Sequence, residues 1–278
     1  MRVPVIFGCV TTALGLLAVG LVATPYVTGT GVPARLAGSL DPGPPTLLEP
    51  HPVALTEPGF HAWALLNTHT GAISGSDNLA DTSDTVSMIK AWLAADFLRE
   101  AARQKQTPTA DQLHTLSIMI RDSDNQAAED TYRQDGSGAS IERLINTCGL
   151  TDSSAVPDRW SETLMSPRDA VRMGACLADG RAAGPRWTGW VLNEMRQVRG
   201  DGRFGIVDAL PDAVANRVAI KNGWLLRDET GLWHVNCLAV GDGWVLAVMM
   251  RYDGSLGFAH GGTVCESVTT QLINPAMV

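Results

Sequence analysis

The sequence predicts an α+β fold: an antiparallel sheet flanked by helices, its chain interrupted by an inserted all-helical domain. Three observations carry this reading. Residues 61–67 and 72–74 are short runs around a tight turn at Thr70-Gly71, the signature of a β-hairpin. From Ser87 to about residue 215, apolar residues recur at helical spacing behind recognisable caps. Strand-like segments then return at 218–225, 232–240 and 244–252, separated by Arg227-Asp228-Glu229-Thr230-Gly231 and Gly241-Asp242-Gly243. A helical subdomain of about residues 100–215 therefore splits a domain spanning 59–278. The junction between sheet and helices is the natural place for a ligand cleft.

Each element has its own warrant. After the polar approach Asp81-Thr82-Ser83-Asp84-Thr85, residues Ile89, Trp92, Leu93 and Phe97 place one apolar face on a helix over 87–99, with Ser87 at its start. Thr109-Ala110-Asp111-Gln112 is a capping box, backed by Leu113, Leu116 and Ile120. Ser140 begins the next helix, with Ile141, Leu144 and Ile145 inward and Gly149 as its stop. Ser166 and Pro167 open a third, and Pro185 a fourth through Trp187, Trp190 and Val191. The last, over about 262–273, closes the chain.

At 278 residues and 45% hydrophobic, the chain can bury a full-sized core. A net charge of −8 without a basic block leaves no footprint for nucleic acid; it says nothing about oligomerisation, and the expected state is a monomer. Arg2 precedes an uncharged apolar stretch over residues 3–23, about long enough to cross a ~30 Å hydrocarbon core. Residues 1–23 therefore read as a signal anchor or signal peptide, with the anchor favoured because Leu21 occupies a position where cleavage wants a small residue. Either reading exports the remainder, either held on the membrane or secreted. Residues 24–58, rich in proline, read as a spacer, with a short helix near 34–39.

Export makes the cysteines informative. Beyond Cys9 they are Cys148, Cys176, Cys237 and Cys265, an even number bound for an oxidising compartment. Of the three pairings, Cys148 with Cys176 and Cys237 with Cys265 keeps each bridge inside one structural region. No ligand spacing points to a metal, and no cofactor is expected.

Three short motifs carry the chemistry. Ser87-Met88-Ile89-Lys90 sets an amine one helical turn from a hydroxyl, close enough to take its proton if burial lowers the lysine pKa. Ser123-Asp124-Asn125 offers a hydroxyl for proton relay and an amide for a substrate group. The same tripeptide at Ser76-Asp77-Asn78 follows directly on the hairpin and reads as a turn. Lys221-Asn222-Gly223-Trp224 lies in the first late strand, where a lysine supplies positive potential and a glycine admits an extended substrate.

In this order and context the three motifs resemble those of the penicillin-interacting serine hydrolases, the class A-like β-lactamases and the D,D-peptidases, over roughly residue 59 to the C-terminus. The resemblance implies a β-lactamase/transpeptidase-like fold and a β-lactam or cell-wall peptide substrate. Ser87 would be the nucleophile, Lys90 its base and Ser123 the proton relay to the leaving nitrogen. Asn125 would hold the substrate side-chain amide. Lys221, with the Asn222 amide, would bind the substrate carboxylate. The backbone N–H groups of Ser87 and Trp224 would form the oxyanion hole. Two departures stand out. Asn222 replaces the family's hydroxyl residue, and the loop after Asp158-Arg159-Trp160 carries Ser161 before Glu162, which leaves Glu162 as the candidate deacylating base. The resemblance also admits a peptidoglycan D,D-peptidase or a catalytically weak domain that senses cell-wall peptide or antibiotic.

Overall fold

The structure, a computed structural model, describes residues 44–277. The anchor expected over 1–23, the first part of the spacer and the helix near 34–39 lie outside the described residues. Among the described residues no helix is long and apolar enough to cross a membrane.

The chain runs β1 (Phe60–Asn67), β2 (Ile73–Gly75), β3 (Ser83–Asp84), α1 (Lys90–Arg103), α2 (Ala110–Arg121), α3 (Asn125–Gln134), α4 (Gly138–Cys148), β4 (Leu164–Met165), α5 (Pro167–Ala178), α6 (Thr188–Arg196), α7 (Asp212–Ala215), β5 (Ala219–Ile220), β6 (Gly223–Arg227), β7 (Leu232–Val240), β8 (Trp244–Asp253) and α8 (Phe258–Leu272). The main sheet is antiparallel in the order β2-β1-β8-β7-β5, with β6 also on β7. The first and last parts of the chain thus make one sheet, and the helices between them leave and return to it, as expected of an α+β fold.

Side-chain alternation along β7 places the flanking helices. Leu238 and Val240 meet α5, where a Cβ on Gly174 would collide with Val245 and touch both of them. Val235 and Cys237 point the other way, to α8, through Gly261 and the Cys237–Cys265 disulfide. Since successive strand residues face opposite sides, α5 and α8 cover opposite faces of the sheet. The second disulfide, Cys148–Cys176, joins α4 to α5. Both pairings are those favoured from the sequence. Each closes a loop of 28 residues, which the chain-entropy account values at about 3–4 kcal/mol.

Within the helical part, α1 is buried on nearly every side, and Trp92, Leu93 and Leu98 are inaccessible to solvent. Each such side chain contributes about 1.5–3 kcal/mol. The capping box at Thr109, the Ser166 cap with Pro167 in the first turn and the left-handed stop at Gly149 form as the residues dictate. Asp96 on α1 is buried between Arg99, Arg143 and the Ser140 hydroxyl, fastening α4.

The structure corrects several boundaries. The helix expected over 87–99 begins instead as a 3-10 turn, Val86–Ile89, that runs into α1. The helix expected from Pro185 starts at Thr188, and α8 starts at Phe258. The strand expected over 218–225 is two strands in a single register on β7, Ala219 opposite Val240 and Gly223 opposite Asn236. Between them the Asn222 side-chain oxygen, not a backbone carbonyl, accepts from Leu238 N at 3.3 Å. Part of the predicted spacer is also packed on the domain. Thr46, Leu47 and Leu48 are buried, and Leu48 bridges to Ile273 beside hydrogen bonds from Glu49 N to Leu272 O and from Asn274 N to Leu47 O.

Candidate active site

Ser87 sits on a turn that the neighbouring segments over-determine. Val86 adopts φ 48°, a left-handed conformation rare for a β-branched residue, and holding it costs about 1–3 kcal/mol. Short strands β3 and β4 grip the approach, with Ser83 opposite Met165 and Asp84 opposite Leu164. Thr85 N donates to Thr163 O, and Met88 N to Thr85 O, both at 3.0 Å. From the sheet, Asn236 Nδ2 donates to Asp84 O at 2.8 Å. The Asp84 carboxylate is itself bonded to Arg227 and His234. Burial alone would raise its pKa, but these two partners hold it below the usual carboxylate value.

Gly223 explains how β6 reaches this turn. A Cβ there would stand 2.7 Å from Ser87 N and Thr85 O and 2.8 Å from Met88 N. The glycine is therefore needed for contact between β6 and the Ser87 turn, a stronger reason than the substrate approach expected from the sequence. Trp224 follows at once and faces the cleft.

Lys90 is buried, and its amine meets the loop between α2 and α3. Nζ donates to Ser123 O at 2.5 Å, Asn125 Oδ1 at 2.7 Å and Ser123 Oγ at 3.3 Å. Among the described residues it makes no hydrogen bond to the Ser87 hydroxyl, contrary to the direct pairing expected from their spacing. The loop intervenes because Ser123, in a left-handed conformation at φ 60°, turns its carbonyl and hydroxyl onto the amine. Burial brings the Lys90 pKa down to about 7, against a smaller opposing pull from Asp124. A neutral amine with two donors spent on Ser123 O and Asn125 Oδ1 keeps a lone pair free to accept a proton.

Lys221 approaches Ser123 from the sheet. Its Nζ donates to Ser123 Oγ and to Asn222 O, each at 3.0 Å. Full burial, and then the nearby Lys90, push its pKa well below the ordinary lysine value. Asn222 turns away from the cleft. Its Nδ2 donates to Gly202 O at 3.1 Å and Phe204 O at 2.9 Å while its oxygen serves Leu238 N. The amide expected to bind a substrate carboxylate is thus spent on anchoring the loop around residues 200–204, while its oxygen satisfies the Leu238 N–H at the break between β5 and β6.

Ser87, Ser123, Asn125 and Trp224 line one cavity of about 640 Å³ with Val86, Glu129, Trp160, Ser161, Leu225, Leu226 and Trp233. Glu162 does not line it. Its Oε1 accepts from Arg159 at 2.6 Å and Arg227 at 3.3 Å, and it lines a neighbouring cavity with Asp84 and His234. The candidate deacylating base is thus drawn outward by two arginines. The carboxylate that does face Ser87's cavity is Glu129, one helical turn beyond Asn125 on α3. Its oxygens accept from Arg133 Nε at 2.7 Å and Trp160 Nε1 at 3.0 Å. The spacing of Asn125 and Glu129 could have revealed it, had α3, capped by Asp124, been recognised. Among the described residues no cluster of three or more His, Cys, Asp or Glu could hold a metal ion.

No family model matches the chain. It is 30% identical over 186 residues, 64% of its length, to proteins named "Putative lipoprotein LppW" from Mycobacterium bovis and Mycobacterium tuberculosis. The chain spans 58% of the length of these relatives. Among solved structures it is similar to the TLA-3 extended-spectrum β-lactamase, with TM-score 0.64 and 16% identity over 78% of this chain and 94% of that one. The β-lactamase of Chitinophaga pinensis gives 0.62 and 16% over 77% and 93%. That of Sphaerobacter thermophilus gives 0.60 and 17% over 77% and 90%. The sheet, its flanking helices and these likenesses together give the chain a β-lactamase-like fold.

Proposed function

We propose that the chain is an exported serine hydrolase that forms an acyl-enzyme at Ser87 with β-lactams or D-Ala-D-Ala-type peptides and releases the acyl group slowly. The observation that carries this reading is the meeting of the buried Lys90 and Lys221 amines on Ser123, which lines the same cavity as Ser87. Lys90 takes the hydroxyl proton once Ser87 or a bridging water closes the gap to its lone pair. Ser87 Oγ bonds to the carbonyl carbon, the carbon–nitrogen bond breaks, and Ser123 passes the proton to the leaving nitrogen. Asn125 offers its amide nitrogen to the substrate, its oxygen being held by Lys90. The N–H groups of Ser87 and Trp224 stabilise the oxyanion, a contribution of about 3 kcal/mol per donor.

Slow release follows from the position of Glu162, which is paired to arginines outside the cleft. It also supports a second reading, a penicillin-binding or sensor domain, in which the acyl-enzyme or a bound ligand is the end state. Two disulfides and the name borne by the relatives support an extracytoplasmic, membrane-held protein. The test is the intact mass of the full-length chain after addition of a penicillin, with Ser87→Ala in parallel. The expected result is an adduct on the wild type alone that persists over many minutes. Rapid clearance would identify an efficient β-lactamase instead. Equal binding by the variant without any adduct would favour the sensor.

A further inference from the structure

The Ser87 cavity has two ends of opposite electrical character. At one, Ser123 lines the wall, and the amines of Lys221 and Lys90 lie directly behind its hydroxyl, at 3.0 and 3.3 Å. A proton on either amine gives this end positive potential. At the other stands Glu129, the single charged side chain among the described residues of the lining. Asn125 and Glu129 are four residues apart on α3, so the wall climbs one helical turn, about 6 Å, from the amide offered to a substrate up to the carboxylate. Trp160 joins the two ends. Its ring lies 5.1 Å from Lys90 Nζ, and its Nε1 donates to Glu129 Oε2 at 3.0 Å.

The Glu129 carboxylate has capacity left for a ligand. Its side chain is 32% exposed, and besides Trp160 it bonds Arg133, whose Nε donates to Oε1 at 2.7 Å. Arg133 is 71% exposed and does not line the cavity, and surface pairs of this i,i+4 kind are weak. One bond to each oxygen leaves a lone pair open on both. Asp158 adds to the negative field. Burial, and then Asp158 and Glu129, push the pKa of the Tyr132 phenol up, which sets both carboxylates around one ring. The indoles of Trp160, Trp224 and Trp233 in the same wall offer π-surface to a cation.

We infer that the cleft selects acyl donors charged oppositely at their two ends: a carboxylate on the leaving side, drawn to the Ser123 end, and a primary ammonium on the acyl side, bound by Glu129. The inference rests on the acyl-enzyme reading and narrows its substrate class to β-lactams and D-Ala-D-Ala-type peptides that carry an amine on the acyl side. Glu129 is then a specificity residue, which attracts and orients the donor and takes no proton in the reaction.

Two penicillins make the test: benzylpenicillin bearing a para-aminomethyl group, and the same molecule with para-hydroxymethyl, alike in size and different in charge. Acylation of the full-length chain by each, at low concentration, is followed by intact mass. The ammonium compound is expected to acylate Ser87 roughly fivefold faster or more, with the advantage falling as salt is raised. Glu129→Gln should bring the ratio close to one, and Glu129→Lys should invert it. Both compounds meet the same preparation, so a loss of folded protein does not move the ratio. Equal rates on the wild type, a faster neutral compound, or a preference that survives in Glu129→Gln overturns the inference, while the adduct at Ser87 leaves the acyl-enzyme reading standing. Absence of a Ser87-dependent adduct from either compound removes that reading and the inference with it.

Discussion

The amines of Lys90 and Lys221 converge on one hydroxyl, lying 3.3 and 3.0 Å from Ser123 Oγ on the helical and sheet sides of the cleft. With Lys221 donating to it and the two donors of a neutral Lys90 spent on Ser123 O and Asn125 Oδ1, the Ser123 hydroxyl keeps its own proton free. In Ser123 that proton is left to be donated elsewhere, which suits transfer to a leaving nitrogen. Two ammonium groups could not share this acceptor cheaply, and both pKa values are lowered, each chiefly by burial.

The rate of Ser87 acylation should rise with pH through about 7, as Lys90 loses its proton. Lys90→Met should cost roughly 10²–10⁴ in that rate. Its effect on stability has the opposite sense. Because the folded-state pKa is about 7 and that of an ordinary lysine 10.5, the unfolded chain binds more protons between these limits. The cost of burying Lys90 is therefore full below pH 7 and fades as pH rises through that window. Chemical denaturation should find Lys90→Met more stable than wild type at pH 7, by a few kcal/mol at most, with the gain shrinking toward pH 10.

Asp135 should behave in the reverse direction. Its side-chain oxygen Oδ2 is buried without a partner, and burial, with Asp96 and Glu100 nearby, pushes its pKa up to about 8 against the pull of Arg143 and Arg99. The folded state then binds more protons than the unfolded chain from the ordinary aspartate value of 3.8 up to about 8. Its penalty is absent below that window and grows as pH rises through it. Asp135→Asn should stabilise the protein by roughly 2–4 kcal/mol at pH 8 and leave it unchanged near pH 3. Thermal unfolding at the two pH values checks this, and an equal shift at both would point to packing instead of ionisation.

Gly223→Ala should damage both the fold and the reaction. The added methyl has backbone atoms of Ser87, Thr85 and Met88 within 2.8 Å, none of which can swing aside. Overpacking of this kind costs roughly 1–3 kcal/mol, and the shift falls on the Ser87 N–H. A loss of acylation that exceeds the fraction unfolded would separate the two effects.

Glu162→Gln should leave the lifetime of the acyl-enzyme within about twofold of wild type, because that carboxylate faces Arg159 and Arg227 outside the cleft. Trp160→Phe should be felt more strongly. It removes the donor to Glu129 and alters the ring that lies 5.1 Å from Lys90 Nζ. Time-resolved mass spectrometry of the adduct gives both numbers, and a lifetime lengthened tenfold in Glu162→Gln would restore that residue as the base.

Local chemistry was readable along the chain. Capping residues at Thr109 and Ser166, the stop at Gly149 and the apolar spacing of α1 act on neighbours within a turn or two, so residue order alone announces them. The order of strands and helices was enough for the α+β class, and keeping each pair of cysteines within one region was enough for both disulfides. What residue order could not decide was where side chains from distant segments finish. Lys90 was paired by spacing with Ser87, yet the left-handed Ser123 loop, 33 residues away, takes its amine. Asn222 looked like a ligand group until the break between β5 and β6 gave it backbone to satisfy. Glu162 and Glu129 are indistinguishable as carboxylates in a sequence. Only the packing of Trp160 against α3, and of Arg227 against the loop, turns one into the cleft and the other away, because hydrogen bonds and ion pairs depend on a few ångströms that tertiary structure alone sets.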